Sequence, residues 1–309
     1  MNSDADFVIA DALFLLSLNA LNEKSNKSAV VSPFSIAMAL GTVNMGANEK
    51  TSAEITDNAF AGIEKDVVAS WFRGHLTELK SFNSLFVENS LNLFESYATE
   101  VEKNFDSKVE RVDFRNNARE QMARINKFVK EATKGFIPEV IADGPQPNDI
   151  QCIVVNAIYL RARFTDGFDK SQTRNEPFNN EDGTTKQLSA TSLKASRSLI
   201  DMAVPKFKTE GDFDLKSILN RLGINEMFDE ENANFYGIAI MDKPPRLHVD
   251  AIKHKAIFEL DEEGVTAAAV TTFSGRGSAP PPKRTIRVDK PFLYGVTFMG
   301  APLFVGQLY

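Results

Sequence analysis

The stretch HKAIFELDEEGVTAAAVTT, residues 254–272, changes character at its middle. As far as Gly264 it has the apolar and branched residues that are typical of a buried strand. Beyond Gly264 it stays uncharged but is built mainly of small side chains, with three consecutive alanines at 267–269. It then runs into SGRGSAPPPKR, residues 274–284, which is typical of an exposed loop. The sequence therefore predicts a strand that leads into a loop whose first half is itself able to form a strand.

Composition indicates an ordinary soluble globular protein. The 309 residues are 43% hydrophobic and 25% charged, which fits one large domain or two of usual size. The net charge is −7 and lysine and arginine are scattered, so no basic face predicts a nucleic acid or an acidic membrane surface as a partner. No apolar run approaches the ~20 residues of a membrane-spanning helix.

The cysteine content and the first residues bear on the cellular compartment. Cys152 is the only cysteine and lies in the apolar run CIVVNAIYL, so we expect a buried thiol, no disulfide within the chain and a reducing compartment. The start of the chain shows no basic leader or cleavage site. We therefore expect a cytoplasmic protein, with an extracellular location as the alternative. Apolar residues recur there at helical spacing: Phe7, Ala10, Phe14, Leu18 and Leu21.

The first half of the chain predicts helices. SPFSIAMALGTVNMGA, residues 32–47, is apolar almost all round, and it begins with Ser32 as an N-cap and Pro33 at the first helical position. TSAE, residues 51–54, has the spacing of a capping box and predicts the start of the next helix. A further helix has one apolar face and is ended by a glycine and a proline: Met122, Ile125, Val129 and Ala132, then Gly135 and Pro138.

The second half predicts mainly strands. IQCIVVNAIYLRARF, residues 150–164, is typical of a long buried strand, and MAVPKFKTE, 202–210, of another. DLKSILNRLG, 214–223, predicts a helix closed by its glycine. The chain ends in a predicted β-hairpin, residues 285–309, whose turn we place at 300–302. This order of elements predicts an α+β domain around a sizeable sheet.

Residues with catalytic chemistry are few. The three histidines, His75, His248 and His254, stand in no pattern typical of a nucleophile, a proton-transfer pair or a metal site. No phosphate loop, dinucleotide fingerprint or hydrolase motif is present. We therefore expect no catalytic residues, no metal and no cofactor.

Six stretches, in order along nearly the whole chain, resemble the serpin family of protease inhibitors. The resemblance implies the serpin fold, a single domain over residues 1–309, in which helices surround a large central β-sheet and a reactive loop at about 262–284 is exposed. The six stretches are VVSPFSIAMALGTVNMGANEKTSAEI, INKFVKEATKGFIPEVI, VVNAIYLRARFTDGFDKSQTRNEPF, VPKFKTEGDFDLKSILNRLGINEMF, HKAIFELDEEGVTAAAVTT and DKPFLYGVTFMGAPLFVGQLY.

The resemblance implies an inhibitor of serine proteases rather than an enzyme, with cysteine proteases as alternative targets. The protease cleaves the loop, is held as an acyl-enzyme, and is displaced as the start of the loop inserts into the sheet as a new strand. The alternatives are a non-inhibitory serpin that acts as a binding or chaperone-like protein, and an inert shortened isoform. We expect a monomer that is prone to self-association by insertion of a neighbour's loop.

By resemblance, three groups of residues have roles in this process. We expect cleavage between Ser278 and Ala279, with Arg276–Gly277 as the alternative bond. The segment from which insertion starts, which we call the hinge, comprises Glu262, Glu263, Gly264, Val265, Thr266, Ala267, Ala268 and Ala269. Val265 is the first of these residues expected to insert. The polar residues expected beneath the central strands, which we call the shutter cluster, are Ser32, Ser35, Asn156 and His254. The alternative for these four is that each is satisfied locally and separately.

The sequence departs from the family in one large respect. Between residues 175–189 and 199–208 the family has further strands and two helices, whereas here only a few residues connect them. At typical element lengths the missing piece is roughly 50 residues. We therefore expect one sheet and helix region to be incomplete, through a shortened isoform or a lost exon.

Overall fold

A computed structural model gives the structure of the protein and describes most of its residues. These residues are 3–75, 81–142, 149–164, 171, 173–194, 200–240, 246–264 and 284–309.

Helices are concentrated in the first half of the chain, as the sequence predicts. They are α1 (Ser3–Asn22), α2 (Pro33–Gly46), α3 (Glu49–Ala59), α4 (Lys65–His75), α5 (Glu95–Phe105), α6 (Phe114–Ala132), α7 (Lys216–Arg221) and a short 3₁₀ helix at Glu226–Phe228.

Strands dominate the second half. They are β1 (Ala29–Val31), β2 (Ser81–Glu88), β3 (Lys108–Val112), β4 (Cys152–Phe164), β5 (Arg174–Asn179), β6 (Thr185–Lys194), β7 (Ile200–Pro205), β8 (Phe207–Asp214), β9 (Ala251–Gly264), β10 (Arg284–Arg287), β11 (Phe292–Phe298) and β12 (Ala301–Leu308).

The largest sheet has five strands in the order β3-β2-β4-β9-β8. Its two central strands, β4 and β9, run parallel and pair from Ile153 with Ala251 to Ala162 with Leu260. On their outer sides, β2 pairs with β4 and β8 pairs with β9, both antiparallel. The parallel pair at the centre therefore lies between two antiparallel pairs. We call the boundary between β4 and β9 the central seam.

Both faces of β4, at the centre of the five-stranded sheet, are buried. Helix α2 packs on one face and α6 on the other, so successive residues of β4 enter two different apolar clusters. Cys152 and Val154 face α2, whereas Ile153 and Val155 face α6. A strand covered on both faces has a continuous apolar run instead of an alternating pattern, which accounts for the sequence of β4.

The described residues also form two smaller sheets. One has the order β1-β12-β11, and the other has the order β10-β7-β6-β5. The first contacts the five-stranded sheet at Gly211 of β8, where an added Cβ atom would lie 1.7 Å from the backbone oxygen of Val30. Only glycine permits this approach, so the two sheets meet there with no side chain between them.

Helix α2 begins as predicted, but α3 does not. The Ser32 hydroxyl caps α2 by accepting the backbone N–H of Ser35 at 3.3 Å. Helix α3 starts at Glu49, so the capping-box prediction at residues 51–54 is wrong. Thr51 is buried within the first turn, where its hydroxyl donates to the Glu226 carboxylate at 2.8 Å. A tertiary partner therefore takes the hydroxyl that would otherwise cap the helix.

Two further element boundaries differ from the prediction. Residues 202–210 do not form one strand, because β7 ends at Pro205 in the four-stranded sheet and β8 begins at Phe207 in the five-stranded sheet. The turn of the C-terminal hairpin lies at Met299 and Gly300 rather than at residues 300–302. Both turn residues have positive φ, 50° and 87°, as a two-residue hairpin turn that matches strand twist requires.

Candidate functional site

The four residues of the shutter cluster lie together beneath the central seam. Asn156 of β4 and His254 of β9 are directly paired in register, on the face that α2 covers. Ser32 and Ser35 stand at the start of α2. All four side chains are fully buried. The N-terminus of one helix therefore meets both central strands at a single polar point in the core.

Hydrogen bonds connect the cluster into one network. The Ser35 hydroxyl donates to Asn156 Oδ1 at 2.5 Å, and Asn156 Nδ2 donates to the Ser35 backbone oxygen at 2.9 Å. Nδ1 of His254 lies 2.7 Å from the same Asn156 Oδ1, and the Ser32 backbone N–H donates to His254 Nε2 at 3.1 Å. The four residues are thus partners of one another rather than separately satisfied, and the His254–Asn156 bond crosses the seam.

The network fixes the protonation state of His254. Because Nε2 accepts the amide proton of Ser32, the single ring proton must be on Nδ1, where it is donated to Asn156. Burial lowers the pKa of His254 from 6.5 to about 3. A second proton would have to bind Nε2, which already accepts the Ser32 N–H. Both this geometry and burial therefore disfavour the charged imidazolium form.

Asn83 makes a separate polar contact with α2, which the sequence did not indicate. It lies on β2 directly opposite Asn156, and its Nδ2 donates to the Thr42 hydroxyl of α2 at 3.3 Å. Both residues are buried. The polar track beneath the sheet therefore spans three adjacent strands, β2, β4 and β9.

A second polar group lies at the end of β9, where the hinge begins. The Glu262 carboxylate accepts from Lys206 Nζ at 2.7 Å and from the Thr173 hydroxyl at 2.9 Å. Burial alone would raise the pKa of Glu262, but the Lys206 ammonium and the Thr173 hydroxyl outweigh burial and hold this pKa below its ordinary value. The first hinge residue is thus held as a carboxylate.

Two side-chain pairs cross the seam on its other face. The Tyr159 hydroxyl of β4 donates to the Glu259 carboxylate of β9 at 3.1 Å, and Arg161 of β4 donates to the Asp261 carboxylate of β9. Burial, followed by the nearby Glu259 carboxylate, raises the pKa of Tyr159 to about 12. The Phe136 ring, beyond the end of α6, stacks on Tyr159 with centroids 3.8 Å apart. The segment after α6 therefore lies over the seam.

The remaining predicted residues fall at or beyond the end of β9. Glu262, Glu263 and Gly264 are its last three residues, and Gly264 pairs with Phe164 of β4 after a register shift. Val265, Thr266, Ala267, Ala268 and Ala269 lie outside the described residues, and so do both candidate cleavage sites, Ser278–Ala279 and Arg276–Gly277.

The two histidines outside the cluster have local partners. His75 Nδ1 lies 2.7 Å from the Trp71 backbone oxygen. Hydrogen bonding to Asp250 raises the pKa of His248. Within these ranges, no group of three or more histidine, cysteine, aspartate or glutamate side chains is placed to hold a metal ion, and no helix is long and apolar enough to cross a membrane.

The chain matches known proteins over almost its whole length. A sequence profile described as "Serpin (serine protease inhibitor)" matches residues 12–193 and 188–309. The chain is 26% identical over 381 residues to the leukocyte elastase inhibitor of Homo sapiens, with 99% of this chain and 98% of that protein covered. It is 25% identical over 360 residues to Serpin B7 of Homo sapiens, covering 93% and 94% of the two chains.

The fold also matches solved structures. The crystal structure of Serpin48, described as a highly specific serpin of the insect Tenebrio molitor, superposes with a TM-score of 0.85 at 20% identity, covering 100% of this chain and 98% of that one. The alignment with leukocyte elastase inhibitor spans 381 residues whereas this chain has 309, so the relative has segments that this chain lacks. This agrees with the predicted loss of an internal piece.

Proposed function

Because this chain belongs to the serpin family, we propose that it inhibits a serine protease by serving as its suicide substrate. A cysteine protease is the alternative target. In this proposal the chain supplies no catalytic residue. The protease cleaves the reactive loop and remains attached to it while the hinge inserts into the central seam.

The parallel pairing of β4 and β9 is the observation that carries the proposal. The hinge continues directly from the end of β9. If it folds back between β4 and β9, it runs antiparallel to both strands. One parallel pair is then replaced by two antiparallel pairs, which are slightly more stable per residue and add a full ladder of hydrogen bonds. The sheet thus has a position for one more strand, and the chain has that strand adjacent to it.

The composition of the hinge fits that position. Both faces of the seam are covered, by α2 and by α6, so an inserted side chain meets a packed interior. Three consecutive alanines, residues 267–269, add little volume, and no charge is present from Gly264 to Thr272. The second candidate function, a non-inhibitory binding role, does not require small and uncharged side chains in the hinge.

We assign the shutter cluster the role of holding the seam closed. Insertion must break the 2.7 Å bond between His254 and Asn156, because it is the buried side-chain bond that crosses the seam. Tyr159–Glu259 and Arg161–Asp261 must also separate. At the entrance, the ion pair between Lys206 and Glu262 fixes the first hinge residue until the loop is cut.

The cleaved bond determines which protease is inhibited. We propose Ser278–Ala279, which suits a protease with a small specificity pocket, and keep Arg276–Gly277, which suits a trypsin-like protease with an acidic pocket, as the alternative. Mass spectrometry of the trapped complex distinguishes the two, because a new N-terminus at Ala279 supports the first bond and one at Gly277 supports the second. We further propose a reducing, cytoplasmic location, since the only cysteine is buried and unpaired.

The test of inhibition is a covalent complex that survives SDS. Incubation with elastase-like and trypsin-like proteases should give a band at the summed mass of inhibitor and protease. The variant Ala267→Arg should be cleaved without forming that band, because an unpaired charge buried in the sheet costs several kcal/mol. Ala267→Ser, which keeps the side chain small and uncharged, is the matched control and should still form it. Equal complex formation by both variants would refute insertion.

A further inference from the structure

Strand β11 has a free edge in the part of the chain that the structure describes. Among the described residues it pairs with β12 alone and ends its three-stranded sheet. From Phe292 to Phe298 it contains no charged residue and no proline. Natural proteins usually protect edge strands with charges, prolines or bulges, because an open edge is ready to pair with another strand. The edge of β11 therefore has none of the usual protection in its sequence.

The backbone of β11 is also regular enough to pair. The register shift in this hairpin lies between Val296 and Thr297 and places the extra residue, Leu303, on β12. The exposed side of β11 carries Leu293, which is 61% exposed, with Met299 directly after the strand at 64%. The extra residue therefore does not interrupt β11, and the outward face of this strand is apolar at Leu293.

The sequence of β11, FLYGVTF, has Gly295 at its centre and a phenylalanine at each end. Phenylalanines stand at equal distances from it, at 292 and 298, and Tyr294 and Val296 flank it. We propose that β11 pairs antiparallel with β11 of a second copy of this chain, with the two-fold axis at Gly295. Phe292 then lies opposite the second copy's Phe298, and Tyr294 opposite its Val296.

This register satisfies the rules for strand pairing. Because the axis passes through Gly295, each residue whose N–H group points to the free edge lies opposite a residue whose N–H group also points to that edge. Backbone hydrogen bonds can therefore form between the two copies. A two-fold axis perpendicular to the sheet keeps each face on its own side, so the half-buried face of one copy continues that of the other. At the ends Lys290 lies opposite Gly300, so no like charges meet. The product is a six-stranded sheet in the order β1-β12-β11-β11-β12-β1.

Cysteine crosslinking tests the register. Of the described residues, a Cβ atom at Gly295 would touch only the Phe304 backbone oxygen, at 3.6 Å, so Gly295→Cys fits this part of the fold. In the dimer the two new cysteines lie about 5 Å apart between Cα atoms, within disulfide range. Thr297→Cys is the matched control, since its copies lie roughly 14 Å apart. Under oxidising conditions only Gly295→Cys should give a dimer band. No band, or equal bands from both variants, would overturn the proposal.

Charge substitution tests the interface itself. Gly295→Lys and Gly295→Glu each place like charges directly opposite one another, and each should weaken dimerisation roughly fivefold in sedimentation velocity. Mixing the two variants should restore it, because lysine then faces glutamate. Self-association that neither variant weakens would refute pairing at β11 and indicate loop insertion instead. Since Gly295 is remote from the hinge in sequence, protease inhibition by these variants reports separately on the proposed function.

Discussion

Acidification should destabilise the protein through His254 by an amount that the structure allows us to calculate. The ordinary pKa of histidine, 6.5, applies to the unfolded chain, whereas burial lowers the pKa to about 3 in the folded protein. Above pH 6.5 the residue is neutral in both states and has no effect. As pH falls below 6.5, the unfolded chain takes up a proton that the folded chain refuses, so stability falls until about pH 3. At about pH 5 the loss from this residue is about 2 kcal/mol.

The assay compares the protein with His254→Gln, which has no titratable group at this position. The glutamine oxygen can still accept the Ser32 amide, although the bond to Asn156 is weakened, so the variant should be less stable at neutral pH. Urea unfolding at about pH 7.5 and about pH 5 gives the pH-dependent change for each protein. That change should be about 2 kcal/mol smaller in the variant, because other titrating groups contribute equally to both.

Two probes make the measurement interpretable. Circular dichroism follows the whole chain, and Trp71, the only tryptophan, reports on the buried contact between α2 and α4. Coincident transitions support a two-state analysis. If parent and variant lose the same stability between the two pH values, His254 is not held neutral by the fold, and the assigned tautomer and network are wrong.

Further predictions concern the entrance to the seam and the core. Lys206→Ala removes the ion pair with Glu262 and should lower the free energy of unfolding by about 1 kcal/mol. The control Lys208→Ala removes an exposed ion pair with Glu210 and should change this free energy by less than about 0.5 kcal/mol. Equal effects of the two variants in urea titrations would argue against a special role for Glu262. Burial, followed by the Asp250 carboxylate, raises the pKa of the Cys152 thiol, so a thiol reagent near neutral pH should label it only in denaturant. Rapid labelling of the native protein would contradict its burial.

The sequence was informative about elements whose pattern is local. The cap and apolar surface of α2 are contiguous in the chain, and β4 is recognisable because a strand buried on both faces needs an unbroken apolar run. Asn156 is conspicuous for the same reason, as a single polar residue within that run. Resemblance then grouped it with Ser32, Ser35 and His254.

Features that depend on partners distant in sequence could not be predicted. Asn83 lies in SFNSLFVE, which mixes polar and apolar residues without a regular period, and only its register opposite Asn156 places it beneath the sheet. Strand-forming residues stand on both sides of Pro205 and Lys206, and only the structure shows that they belong to two different sheets. Thr51 has the spacing of a cap, but Glu226 binds its hydroxyl in the folded protein.

The parallel pairing of β4 with β9 also constrains how the protein is made. Asn156 and His254 lie 98 residues apart, so β4 leaves the ribosome well before its neighbour exists. At usual rates of synthesis the interval is roughly 5 to 20 s. During that time the apolar strand β4 has one edge without a partner strand. Chaperones bind chains in this state, and unprotected chains aggregate. The yield of folded protein in a cell should therefore depend on translation speed between residues 165 and 250 more than on the speed of any other part of the chain.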